Sequence, residues 1–101
     1  MKMLFFIFRE SLEEDILSLL QHEQIHAYTM IPKVRGTGET GEAFGSFMSQ
    51  GENQLILLAL EDELACRTIE EFRALRSRLS ERQQGAAIPM KLVVMPCEEI
   101  I

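Results

Sequence analysis

Positive charge is scarce in this chain: 10 Lys and Arg stand against 16 Asp and Glu over 101 residues, giving a formal net charge of −6 and a sequence pI near 4.9. Contact with a phosphate backbone needs clustered cations that release counterions, so nucleic acid is excluded as an expected partner. Cysteine is limited to Cys66 and Cys97, with no C-x-x-C or C-x-x-H spacing, which excludes a disulfide framework and a zinc site of the usual spacing. Both are expected to be reduced thiols, packed as small hydrophobes. No long apolar run is present. The opening Met1-Lys2-Met3-Leu4-Phe5-Phe6-Ile7-Phe8 holds only six apolar residues in a row before Arg9-Glu10. Signal h-regions need about 7–15 such residues and membrane helices about 20, so a soluble, cytoplasmic protein without membrane insertion is expected. Nucleophile and base are not paired in any Ser-His-Asp or Cys-His arrangement, and the abundant carboxylates fall on the expected solvent faces of helices. The chain is therefore not expected to be an enzyme.

Glycine is sparse outside one place: five of the six lie between Gly36 and Gly51, and the sixth is Gly85. Connections longer than about 12–15 residues are uncommon in compact domains unless they carry function or are disordered, so this segment is the first place to look for a role. Its flanks read as strands. Residues 3–8 are short, apolar and rich in Phe and Ile, as in a fully buried strand. Ser11 and Glu14 then form the pattern of a capping box. Leu12, Ile16, Leu19 and Leu20 come next at the spacing of an amphipathic helix that should end between Gln21 and Gln24. A second strand is expected over residues 26–34, on a sheet edge because Pro32 cannot donate to a ladder.

After the glycines, residues 55–60 form another uninterrupted apolar strand. Glu61, Asp62 and Glu63 open a helix whose later turns carry Arg73, Arg76, Arg78 and Arg82, a charge order that complements the helix dipole. Its inward face should be Ala65, Ile69, Phe72 and Leu79, and residues 90–95 between Pro89 and Pro96 make the last strand. The order is β-α-β-β-α-β, a ferredoxin-like α+β fold in one domain over residues 1–101. The first and third strands should be central in a four-stranded antiparallel sheet, with two helices on one face. Those two strands do not alternate apolar with polar residues, as a sheet open to water would. The face away from the helices must therefore be covered, and another copy of the chain is the expected cover.

Gly36-Thr37-Gly38-Glu39-Thr40-Gly41 satisfies G-x-G-x-x-G, with Glu61 about 20 residues on as in dinucleotide-binding folds. The context fails, because that motif must open a helix, whereas Gly45 and Gly51 would break a helix there and a strand begins soon after Asn53. A Walker motif fails because Glu42-Ala43 stand where Lys-Ser or Lys-Thr is required. A glycine loop at a strand end remains, either a connector without a ligand or a cradle that aims backbone N–H groups at an anion. Phe44, Phe47 and Met48 within it are either folded onto their own oligomer or exposed to a partner.

Val34-Arg35-Gly36-Thr37-Gly38, the strand leading into Glu61-Asp62, and Lys91-Leu92-Val93-Val94 together resemble the PII-like signal-transduction proteins of the nitrogen-regulatory superfamily, over nearly the whole chain. The resemblance implies a homotrimer whose long T-loop, here residues 35–52, regulates a partner protein such as a transporter or metabolic enzyme. It also implies a small effector, with an adenine nucleotide as the family's class, held between subunits by Arg35, Gly36, Thr37, Gly38, Thr40 and Lys91. Phe44, Phe47 and Met48 become the partner-binding residues. Several positions depart from the family. Glu39 stands where it has a basic residue, the Thr-Gly and Gly-Asp-Gly signatures before the last strand are missing, and residues 98–101 are Glu-Glu-Ile-Ile rather than basic. The sole tyrosine, Tyr28, falls in an expected strand and not in the T-loop, which argues against regulation by tyrosine modification. These departures resemble the divergent PII-like branch, whose members bind varied small ligands. The alternative reading is a metal-responsive PII-like or CutA-like protein linked to metal tolerance or efflux. His22, His26 and Cys97 would be its weak candidate ligands, since metal histidines normally come with further donors.

Overall fold

The computed structural model describes residues 1–36 and 52–101. Strand β1 (Lys2–Arg9) leads through a 3-10 turn (Glu10–Leu12) into helix α1 (Glu13–His22). Strands β2 (Thr29–Val34) and β3 (Asn53–Leu60), helix α2 (Asp62–Arg82) and strand β4 (Met90–Pro96) complete the chain. The sheet order is β2-β3-β1-β4 with every neighbouring pair antiparallel, so the two apolar strands are central and the proline-bearing strands are the edges, as expected. This is the ferredoxin-like arrangement of four strands and two helices.

Side-chain alternation along β1 sends Leu4, Phe6 and Phe8 to the helix side, and in β3 Ile56, Leu58 and Leu60 join them. Ile16, Leu19 and Leu20 of α1 close over this layer with Ala65, Phe72, Leu75 and Leu79 of α2. Phe6 lies at the centre, its ring centroid 4.4 Å from Phe72 and 5.5 Å from Phe8. Each such side chain contributes about 1.5–3 kcal/mol on burial, so these contacts drive the helices onto one face. Ile69, expected inward, is only partly buried against that cluster, while Leu75 and Thr68 are inside. The Thr68 hydroxyl has no hydrogen-bond partner among the described residues.

Three local expectations are corrected. The Ser11–Glu14 capping box does not form: the Glu10 N–H donates to the Glu52 carbonyl at 2.7 Å, and the chain tightens into the 3-10 turn that buries Leu12. Helix α1 then starts at Glu13, with Leu12 at its N-cap and no side-chain cap. Strand β2 begins at Thr29 rather than residue 26, because Ile25 is drawn into the core at the end of α1 and the first sheet partner is Thr29 opposite Leu57. Tyr28 consequently lies just before the strand and is exposed. Within β2 the register shifts between Ile31 and Val34, with Lys33 at φ 57°. Pro32, which lacks an N–H, sits in that bulge.

The face opposite the helices carries Met3, Phe5 and Ile7 from β1, Leu55 and Leu57 from β3, and Val93 and Met95 from β4, aligned by the strand register. Ile31 of β2 pairs with Leu55 and extends the patch. No element of the described chain lies over it. Val93 and Met95 are 42% and 44% exposed, well beyond what isolated surface hydrophobes would require.

Candidate functional site

Arg35, Gly36 and Lys91 all fall at the end of the sheet where β2 stops and β4 starts. Three backbone contacts hold that end together. Val34 pairs with Asn53, the Glu10 N–H reaches the Glu52 carbonyl, and the Arg9 N–H donates to the Pro89 carbonyl at 3.2 Å. The chain thus leaves β2 and re-enters β3 at adjacent positions, which gives the intervening segment a fixed root.

The same topology keeps the expected ligands apart. Arg35 and Gly36 come after one edge strand and Lys91 opens the other, so β3 and β1 lie between them. Three inter-strand spacings amount to about 14 Å, too far for one small anion to touch both within one chain. Arg35, Gly36 and Lys91 are exposed, and neither Arg35 nor Lys91 has an ion-pair partner among the described residues. A Cβ built at Gly36 would meet nothing within 4 Å among the described residues, so their packing does not demand glycine there. Thr37, Gly38, Thr40, Phe44, Phe47 and Met48 lie outside the described residues.

Sequence reasoning missed two polar residues at the root. Asn53 and Gln54 are 5% and 7% exposed, and the Gln54 Oε1 is buried with no hydrogen-bond partner among the described residues. Their signal was an Asn-Gln pair opening an otherwise apolar strand, a position where side-chain amides are costly unless satisfied. Sequence reasoning also missed a groove of about 590 Å³ between α2 and β4, lined by Phe6, Phe72, Leu92, Arg73, Arg76 and Lys91 among others. It arises because β4 is an edge strand whose helix-side residues Leu92 and Val94 are incompletely covered.

For the metal alternative, His22 ends α1 with its Nδ1 3.5 Å from a Glu23 carboxylate oxygen, and His26 is exposed in the connection to β2. Cys97 comes directly after β4, its N–H donating to the Met1 carbonyl. Among the described residues no three His, Cys, Asp or Glu side chains gather as a metal site. No described helix is long and apolar enough to cross a membrane.

Comparison with known proteins agrees with the topology. Among solved structures, CPII of Thiomonas intermedia, a nitrogen regulatory PII-like protein bound to ADP, AMP and bicarbonate, superposes with a TM-score of 0.66 at 20% identity. That match covers 92% of this chain and 86% of the other. CPII bound to ADP, AMP and acetate matches with a TM-score of 0.60 at 18% identity, covering 97% and 88%. A Thermus thermophilus protein assigned as PII-like in signaling matches at 0.57 and 19%, covering 93% and 82%. At such identities these likenesses speak to the fold alone. No curated protein matches the chain in sequence. The family model for nitrogen regulatory protein P-II matches residues 1–100, and with strand order, edge prolines and the long β2–β3 connection in agreement, the chain belongs to the P-II family.

Proposed function

We propose that this protein is a non-enzymatic PII-like regulator that assembles as a trimer and senses a small anionic effector, an adenine nucleotide, at clefts between subunits. In this reading the effector changes the state of residues 35–52, which then engage a partner protein, a transporter or metabolic enzyme, through Phe44, Phe47 and Met48. One observation carries the proposal. Arg35 and Gly36 share an end of the sheet with Lys91 but sit on the opposite edge, so a site using both sets needs a second copy. The uncovered apolar face offers the surface on which copies would meet. The ADP and AMP bound by CPII supply the ligand class. A ligand shifts such a loop only by its differential affinity for the loop's two states.

Native mass spectrometry of the full chain with ADP and AMP offered separately tests the reading. The expected result is a trimer that takes up one nucleotide per subunit, with Arg35→Ala and Lys91→Ala each weakening uptake about tenfold, as loss of a charge-assisted contact would. A monomer, or a trimer whose nucleotide uptake ignores both substitutions, overturns it.

A further inference from the structure

Contact between copies on the uncovered face would cover the apolar side chains on one side of β4 and leave those on the other side open. Val93 and Met95 pair with Phe5 and Met3 on the uncovered face. Leu92 and Val94 instead pair with Phe6 and Leu4, which are 1% and 0% exposed in the layer beneath the helices. Side chains of that layer are normally covered by a helix, yet Val94 is 37% exposed and Leu92 is only half-buried. The gap above them is the groove of about 590 Å³ between α2 and β4, walled by Ile69, Met90, Leu92 and Val94. Phe6 and Phe72 lie at its base and are too deeply buried to offer a ring face, so the walls within reach are aliphatic.

Two cations line the same groove, both from α2. Arg73 and Arg76 stand one turn apart on the side of the helix that also carries Ile69. Lys91 is not a third, because it pairs with Ile7 and its side chain belongs to the opposite face. Arg73 is partly neutralised by Glu70 at 2.7 Å, whereas Arg76 has no ion-pair partner among the described residues. The start of α2 is tied to the end of β4 through Met1, whose amino group lies 2.9 Å from Asp62 and whose carbonyl accepts from the Cys97 N–H. Helix and strand therefore run in opposite senses, with Ile69 toward Val94 and Arg76 toward Met90. A second hollow of about 520 Å³ shares Arg76 and Met90 and continues past Ser77 and Ser80. Glu81 borders that hollow and disfavours an anion in it, so the place for negative charge is beside Arg73 and Arg76.

We infer that this groove binds a small carboxylate with an aliphatic chain, its head group held by Arg73 and Arg76 and its tail laid along Ile69, Leu92 and Val94. Guanidinium groups grip a carboxylate through paired N–H donors, a geometry that an ammonium does not offer. The tail supplies the apolar cover that Leu92 and Val94 lack. A groove of this volume falls within the range of small-molecule sites, roughly 300–1,000 Å³. Inorganic phosphate would use the arginines and leave the aliphatic walls wet, and a neutral hydrocarbon would do the reverse. A nucleotide is a poorer fit because no ring face is exposed on which its base could stack. The site is separate from the effector site proposed above, for it uses neither Arg35 nor Gly36.

Isothermal titration calorimetry of the full chain with octanoate and with octan-1-ol, both as free monomers in solution, tests this. The expected result is one octanoate per chain, with octan-1-ol about tenfold weaker because it brings no charge to the arginines. Arg76→Gln should weaken octanoate about tenfold and leave octan-1-ol unchanged. Val94→Asn should weaken both ligands, whereas Val93→Asn, one residue away on the opposite face, should weaken neither. All three positions are exposed, and circular dichroism checks that each variant keeps the parental fold. The comparison of the two ligands on the unmodified chain needs no variant. Absence of octanoate binding, or octan-1-ol binding as tightly, overturns the inference. So does a loss caused by Val93→Asn rather than Val94→Asn, which would place the ligand on the uncovered face. Displacement of octanoate by ADP would also overturn it, by making the groove part of the effector site. None of these outcomes bears on whether copies associate or whether Arg35 and Lys91 hold a nucleotide.

Discussion

Gln24 and Gln84 occupy the left-handed region at φ 59° and 58°, and each is the hinge on which a helix stops. At the end of α1 the Ile25 N–H reaches the Leu20 carbonyl at 2.8 Å and the Gln24 N–H reaches the Gln21 carbonyl at 3.0 Å. At the end of α2 the Gly85 N–H reaches the Ser80 carbonyl at 2.8 Å and the Gln84 N–H reaches the Glu81 carbonyl at 3.1 Å. This is the paired bonding of a Schellman cap, with glutamine where glycine is usual. A non-glycine residue there costs on the order of 1 kcal/mol, so Gln24→Gly should raise unfolding free energy by about 0.5–1 kcal/mol. A urea melt checks it: the midpoint should rise with an unchanged slope, and a fall would mean that the Gln24 side chain supplies a contact of greater value. The absence of glycine at this cap also limited what was legible. Without that marker the end of α1 could be bracketed only between Gln21 and Gln24, and the burial of Ile25 that fixes it is a tertiary event. The same holds for Ser11, whose local capping pattern yields to the hydrogen bond from Glu10 to Glu52, a residue far along the chain.

Helix α1 is joined to helix α2 by a charged link as well as by the core. The Arg67 Nε donates to the Glu23 carboxylate at 2.7 Å. The Arg67 hydrogen bond is the main cause that holds the Glu23 carboxyl below its usual range against partial desolvation, with His22 adding to it. A carboxyl depressed in the folded state stabilises that state above its unfolded value, near about 4.3, and the contribution is lost as pH falls through the folded value. Thermal stability should therefore drop on acidification below about pH 4.3, with Glu23→Gln flattening that slope. If the variant shows the same acid dependence as the parent, the link does not contribute. Element order and sheet centre were readable because uninterrupted apolar runs can only be inner strands and Pro32 can only be tolerated at an edge. The Glu23–Arg67 link was not, since 44 residues separate its partners and no local pattern pairs them.

The uncovered sheet face sets the behaviour of the molecule as a whole. Phe5, Leu57 and Val93 lie in one cross-strand row, with Met3 and Met95 in the next. Val93→Glu would place a charge in the middle of any contact made there. The expected outcome is a folded monomer, since an exposed substitution alters the single chain by only about 0.5 kcal/mol. Sedimentation together with circular dichroism checks this, and a variant still associated at parental affinity would show that copies meet elsewhere. The sequence foretold this face from missing alternation in two strands. With the first and third strands central it also put Arg35 and Lys91 at opposite edges, but a ligand set shared between copies leaves no spacing within one chain to mark it. The cationic groove beside β4 was hidden for a related reason: it joins residues of β1, α2 and β4, and no single stretch holds its pattern.

The pairing of Val34 with Asn53 has an evolutionary corollary. An intervening segment whose two ends are clamped side by side can be lengthened, shortened or rewritten with little effect on the scaffold, for doubling such a loop costs only about 0.6 kcal/mol in closure entropy. The sheet and helices fix where the segment emerges, while its wording is left free to vary. A fold rooted in this way can change its audience without relearning how to fold.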